Sequence, residues 1–192
     1  MIPKVRLDAL TDGVFAFAMT VLVLDLRLPD DFAPQTGAEL SAALLGQSEH
    51  FFVYALSFAV LGIRWLGQAG FRSESEAVSA AQGGWALLYL FFIVSMPFST
   101  MVVGRYGNLP PAVWLYAGNM IASSLVGWQL AAVEGEDRSA GTRSRQVGTL
   151  VLLASALLSV ALSLIAPRWA MYAYLLNLLV PLARLVRPKP PV

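Results

Sequence analysis

RLDALTDGVFAFAMTVLVLDLRLP, Arg6 to Pro29, is apolar in its middle and charged toward both ends. Its uncharged run lasts only from Gly13 to Leu24, twelve residues. At about 1.5 Å rise per residue a helix needs about 20 residues to cross about 30 Å of hydrocarbon. A span built on this stretch therefore takes Asp12, and to a lesser depth Asp8, toward the membrane. The rest of the chain has the same apolar weighting: of 192 residues 57% are hydrophobic and 13% charged, against about 25% charged in soluble domains. This is the composition of an integral membrane protein.

Six apolar segments are predicted as helices, at 7–28, 51–70, 82–104, 111–132, 147–166 and 168–186, forming a single domain over 1–192. The fold class expected is all-α, with six transmembrane helices. Pro97 and Pro181 sit where they would kink the third and sixth, and Pro167 separates the fifth from the sixth. The long first connection contains AELSAALLG, residues 38–46, which has the pattern of a short interfacial helix. Basic residues of short loops stay cytoplasmic. With both termini inside, that side collects Lys4, Arg6, Arg64, Arg72, Arg138, Arg143, Arg145, Arg184, Arg187 and Lys189, and the outside keeps Arg27, Arg105 and Arg168. A multi-pass protein of the cell's inner (plasma) membrane with cytoplasmic termini is the expectation. A secretory signal is excluded, because Asp8 and Asp12 fall inside its would-be n- and h-regions and no cleavage site follows.

Several function classes fall away on composition. A net charge of +1 without a basic cluster removes nucleic acid as a partner. The absence of cysteine removes disulfides, thiolate metal sites and thiol nucleophiles. The third to sixth segments carry almost no ionisable side chain between their ends, so neither an acid/base pair nor a metal cluster assembles there, and no enzymatic activity or cofactor is expected. His50, the one histidine, stands at the outer edge of the second segment and reads as an interfacial residue.

Projected at about 100° per residue, Gly13, Phe17, Thr20 and Leu24 form one stripe of the first helix. It is either a packing face, with Gly13 permitting close approach and Thr20 bonding its own backbone, or a pore wall. As a pore wall, symmetry copies would make Phe17 and Leu24 hydrophobic constrictions and Thr20 a ring of hydroxyls.

This first helix resembles that of the transmembrane protein 175 family of potassium channels, whose signature is Arg, three residues, then Phe-Ser-Asp. Arg6 and Asp12 match it, while Leu10 stands for the Phe and Thr11 for the Ser. YALSFAVLGIRWLGQ is similar to the family's second helix and LLYLFFIVSMPFST to its third, so the likeness covers essentially the whole chain. The resemblance implies a homotetramer, with the first helix lining a central pathway for monovalent cations and potassium as the permeant ion. It implies a constriction at the large aliphatic residue five positions after the motif Asp, here Phe17, and a threonine three positions later, here Thr20. Phe17 departs from the usual Ile or Leu, and Gln68 replaces a His three residues after Trp65. Gln bonds but does not titrate, so pH sensing attributed to that His does not transfer.

Arg6, Thr11 and Asp12 then read as a polar clasp fixing the tilt of the first helix against the second and third, with Arg64, Trp65 and Gln68 at matching depth. The chain has no Thr-Val-Gly-Tyr-Gly filter, so modest selectivity is expected. Asp25, Asp30 and Asp31 either concentrate cations at the outer mouth or are a solvated helix end. Two alternatives stand beside the channel: a proton-coupled secondary transporter using Asp12, and a non-conducting membrane scaffold.

Overall fold

The computed structural model describes residues 2–69, 77–133 and 140–179. Arg72, Arg138, Pro181, Arg184, Arg187 and Lys189, and the 180–186 part of the sixth predicted segment, lie outside them. Helix α1 (Lys4–Val21) tightens into a 3-10 turn over Leu22–Asp25, three residues earlier at each end than predicted. The first turn is held by Lys4 and Asp8, 3.0 Å apart, an i,i+4 pair that helices favour. Helix α2 (Gly37–Gly46) is the short segment expected from AELSAALLG; Thr36 caps it by accepting the Glu39 N–H at 3.2 Å. It buries no residue, and its Leu44 and Leu45 are exposed.

Helix α3 (Ser48–Ala69) is the second predicted segment. The third is broken in two, α4 (Ala80–Val94) and α5 (Met96–Tyr106). The cause is Pro97, which occupies the first turn of α5, where its missing N–H leaves nothing unpaired. Helix α4 opens on a reciprocal capping box between Ser79 and Gln82. Helices α6 (Pro110–Val133) and α7 (Ala140–Ser163) follow.

After α7 the expectation needs correction. The predicted sixth helix, from 168, begins instead as a 3-10 helix over Pro167–Leu175. A second feature was not predicted at all: β1 (Ile2–Pro3) pairs antiparallel with β2 (Ala77–Val78), Ile2 opposite Val78. Gly83 makes room for this, since a Cβ there would meet the Ile2 side chain at 3.2 Å.

Among the described residues four stretches are long and apolar enough to cross a membrane: Lys4–Asp25, Ser48–Gln68, Ala80–Tyr106 and Gln146–Ser163. Helix α6 is as long but carries Asn119, Ser123, Ser124 and Gln129. Most of these polar groups turn inward, because α6 is the hub against which α4, α5 and α7 pack. Between apolar helices in lipid, hydroxyls and amides are the available directional contacts. Ser57 of α3 lies 3.1 Å from the Tyr116 hydroxyl of α6 and accepts from Thr100 of α5 at 3.1 Å. Asn119 bridges the α4–α5 break, accepting from Ser95 at 3.1 Å and donating to Ser99 at 3.2 Å.

Because Ser57 joins two partners, its loss orphans two buried hydroxyls. Ser57→Ala should therefore destabilise the fold by about 1–3 kcal/mol. Tyr116→Phe, which removes one end of the chain and leaves the Ser57–Thr100 bond, should cost about 0.6 kcal/mol. Unfolding of the two variants in detergent micelles measures that order, and a larger loss for Tyr116→Phe contradicts it.

Candidate functional site

Two faces of α1 are used differently. Phe15, Ala18 and Leu22 are buried in the common core, with Phe15 tilted against Tyr89 of α4 at 6.2 Å between ring centroids. Phe17 is two residues on from Phe15, about 200° around the helix, and is 62% exposed; Leu24 is 70% exposed. Thr20 is exposed as well, and nothing stands within 4 Å of where a Gly13 Cβ would be. The stripe Gly13, Phe17, Thr20, Leu24 is thus directed away from the rest of the chain, and it is not the face with which α1 packs inside it. The Thr20 hydroxyl donates to the Phe17 carbonyl at 2.8 Å. That bond uses its proton and leaves its oxygen as an acceptor.

Of the residues proposed for the clasp, the structure joins two. The Trp65 indole N–H of α3 donates to the Asp12 carboxylate of α1 at 2.9 Å. Thr11 is occupied within its own helix, donating to the Leu7 carbonyl at 2.9 Å. Arg6 is exposed, and the ion pairs among the described residues are Lys4–Asp8 and Arg105–Asp25. Arg64 is adjacent to Trp65 in sequence but reaches different helices. Its guanidinium donates to the Tyr89 hydroxyl of α4 and the Ser124 hydroxyl of α6, each at 3.3 Å, and lies 5.3 Å from the centre of the Tyr89 ring. Gln68 is half-buried one turn beyond Trp65.

At the other end of α1, Asp25 accepts from Arg105 of α5, from Nε at 3.0 Å and from Nη2. Asp25 is therefore already neutralised by a fork of two N–H groups, unlike Asp30 and Asp31, which are exposed. His50 is half-buried and bonded to Gln47 at 2.6 Å. Neither the Arg105–Asp25 pair nor the Arg64–Tyr89 contact was anticipated. Each links positions far apart in sequence, and the one signal available was the high cost of leaving an arginine at a helix end without an acceptor. Among the described residues no group of three His, Asp or Glu side chains gathers as a metal would require.

Residues 6–97 match the family described as "Endosomal/lysosomal potassium channel TMEM175". A potassium channel of Streptomyces collinus is 34% identical over 101 residues, 53% of this chain and 48% of its own length. The endosomal/lysosomal proton channel TMEM175 of Homo sapiens is 29% identical over 112 residues, 56% of this chain and 22% of its own. The chain thus spans about half, or less, of the length of these two relatives. A crystal structure of a lysosomal potassium-selective channel TMEM175 homolog from Chamaesiphon minutus superposes with a TM-score of 0.78 at 26% identity, over 93% of this chain and 96% of that one.

Proposed function

Since this chain, a multi-pass membrane protein, belongs to the TMEM175 family, we propose that it is the subunit of a potassium-conducting cation channel. Four copies surround one axis, each contributing α1. The observation that carries this reading is the division of α1 into a buried face of Phe15, Ala18 and Leu22 and an exposed stripe of Gly13, Phe17, Thr20 and Leu24. Fourfold symmetry turns Phe17 and Leu24 into apolar rings that close a narrow passage by dewetting, and Thr20 into a ring of oxygens. Selectivity for potassium is modest, because side-chain rings replace a carbonyl filter. No cofactor takes part, and the permeant ion is the ligand. The channel lies in the inner (plasma) membrane with both termini cytoplasmic.

Asp12 is structural in this scheme. A carboxylate drawn toward hydrocarbon is stabilised by an N–H donor, and Trp65 supplies one, so Asp12 and Trp65 form the inner anchor of the pore helix. Arg64, in the same turn, holds α3 to α4 and α6. Purified protein in a planar bilayer tests the reading: unitary potassium currents support it, while saturable pH-driven uptake without them indicates a transporter, and neither indicates a scaffold.

The placement of the axis has its own test. The chain has no cysteine, so single Cys substitutions report cleanly. A water-soluble thiol reagent should label positions 20 and 24 and leave 159 and 163 unmodified, since Ser159 and Ser163 are 0% and 1% exposed inside the subunit. Labelling at 159 or 163 with none at 20 or 24 places the aqueous path elsewhere.

A further inference from the structure

At the end of the subunit where α3 begins and α5 ends lies a cavity of about 490 Å³, within the range of small-ligand sites, about 300–1,000 Å³. Its apolar wall includes Phe52 and Tyr172, stacked with centroids 4.7 Å apart. Its polar wall carries Glu49, His50, Arg105, Asn108 and Arg168. Arg105 is engaged by Asp25, whereas among the described residues Glu49 and Arg168 make no ion pair, with each other or with any side chain. Among the described residues, a carboxylate and a guanidinium that form no ion pair therefore line the same cavity.

A simple anion satisfies Arg168 but is repelled by Glu49, and a simple cation meets the reverse. A group bearing both charges satisfies both. Guanidinium is suited to phosphate oxygens, which it grips with two parallel N–H groups. A carboxylate beside stacked aromatic rings suits an ammonium, drawn by charge and by the ring faces. The aromatic wall, with Trp169 tilted 5.2 Å from Tyr172, also matches the belt that such rings form at a membrane surface.

We propose that this cavity binds a zwitterionic phosphate–ammonium group of the phosphoethanolamine type, its phosphate on Arg168 with Asn108 and its ammonium between Glu49 and the Phe52–Tyr172 pair. Arg105 shares this wall with the site and holds Asp25 at the end of α1, so an occupant's phosphate lies within the field of the contact that fixes that end of the helix.

Binding is read by native mass spectrometry of the detergent-purified protein, without reference to conduction. Phosphatidylethanolamine should be retained over phosphatidylglycerol, which carries the phosphate alone. Arg168→Gln and Glu49→Gln should each weaken that retention by about 5- to 10-fold, the effect of one charge-assisted contact. Glu49→Arg, which swaps the ammonium partner for a second phosphate partner, should reverse the preference toward phosphatidylglycerol. Competition by soluble glycerophosphoethanolamine assigns the site to the headgroup from either source, and its failure to compete restricts the site to the lipid. Equal retention of both lipids, unchanged in Glu49→Arg and in Arg168→Gln, overturns the proposal. Both residues lie on the exposed rim, and matching melting curves for variants and wild type verify that folding is intact.

Discussion

Phe17→Ala is expected to raise the potassium current of assembled channels and to admit larger cations. In the proposed tetramer four phenyl rings converge on the axis, where an apolar neck excludes a hydrated ion by dewetting. Each 1.4 kcal/mol removed from such a barrier speeds passage by about tenfold, so an increase of about tenfold in conductance or open probability is the scale to look for. Phe17 is 62% exposed in the subunit, so the same change should leave the stability of the subunit almost unaltered, in contrast to Phe15→Ala, which empties a site that is 0% exposed and should cost about 3–5 kcal/mol. Thr20→Val, equal in size but without the hydroxyl, should change the potassium-over-sodium ratio with assembly intact. Reversal potentials and unitary currents at matched insertion measure both effects. Unaltered currents in Phe17→Ala and Thr20→Val together would assign the stripe to lipid or subunit packing.

Asp12→Ala should remove most of the folded, assembled protein. It leaves the Trp65 N–H without its acceptor at the membrane edge, and hydrogen bonds to charged groups contribute about 1.5–3 kcal/mol. Asp12→Asn keeps an acceptor for Trp65 and loses the charge, so a milder loss of about 1 kcal/mol is expected. Trp65→Phe combined with Asp12→Ala should cost less than the two single changes added together, because the pair is then removed as a unit. Size-exclusion profiles and thermal unfolding of the four proteins provide the measurement. Normal assembly of Asp12→Asn with pH-dependent flux abolished would instead identify Asp12 as the carrier group of a transporter.

The helices were legible because a run of apolar residues about 20 long has few soluble alternatives, and Pro97 and Pro167 marked real breaks. The choice between α-helix and 3-10 helix over Pro167–Leu175 was not legible, since both accept the same apolar residues and differ only in winding. Nor did the sequence rank the two faces of α1. Phe15, Ala18 and Leu22 are as apolar and as helically spaced as Phe17 and Leu24, and against lipid an outward apolar residue carries no penalty to mark it. The partners of the arginines were hidden for another reason. Arg64 and Trp65 are neighbours in the chain, yet one turns to α4 and α6 and the other to α1, a choice made by packing.

The break at Ser95 has a mechanical meaning. Helix α4 grips the middle of α1 through Tyr89 against Phe15, and α5 grips its end through Arg105 on Asp25. These are two short rods on either side of one joint, where Pro97 cannot supply the next rung of the hydrogen-bond ladder. A torque applied to the end of α1 loads the α5 lever first, and the joint decides how much of it reaches α4. Asn119, bonded to Ser95 on one side and Ser99 on the other, is the spring across that joint.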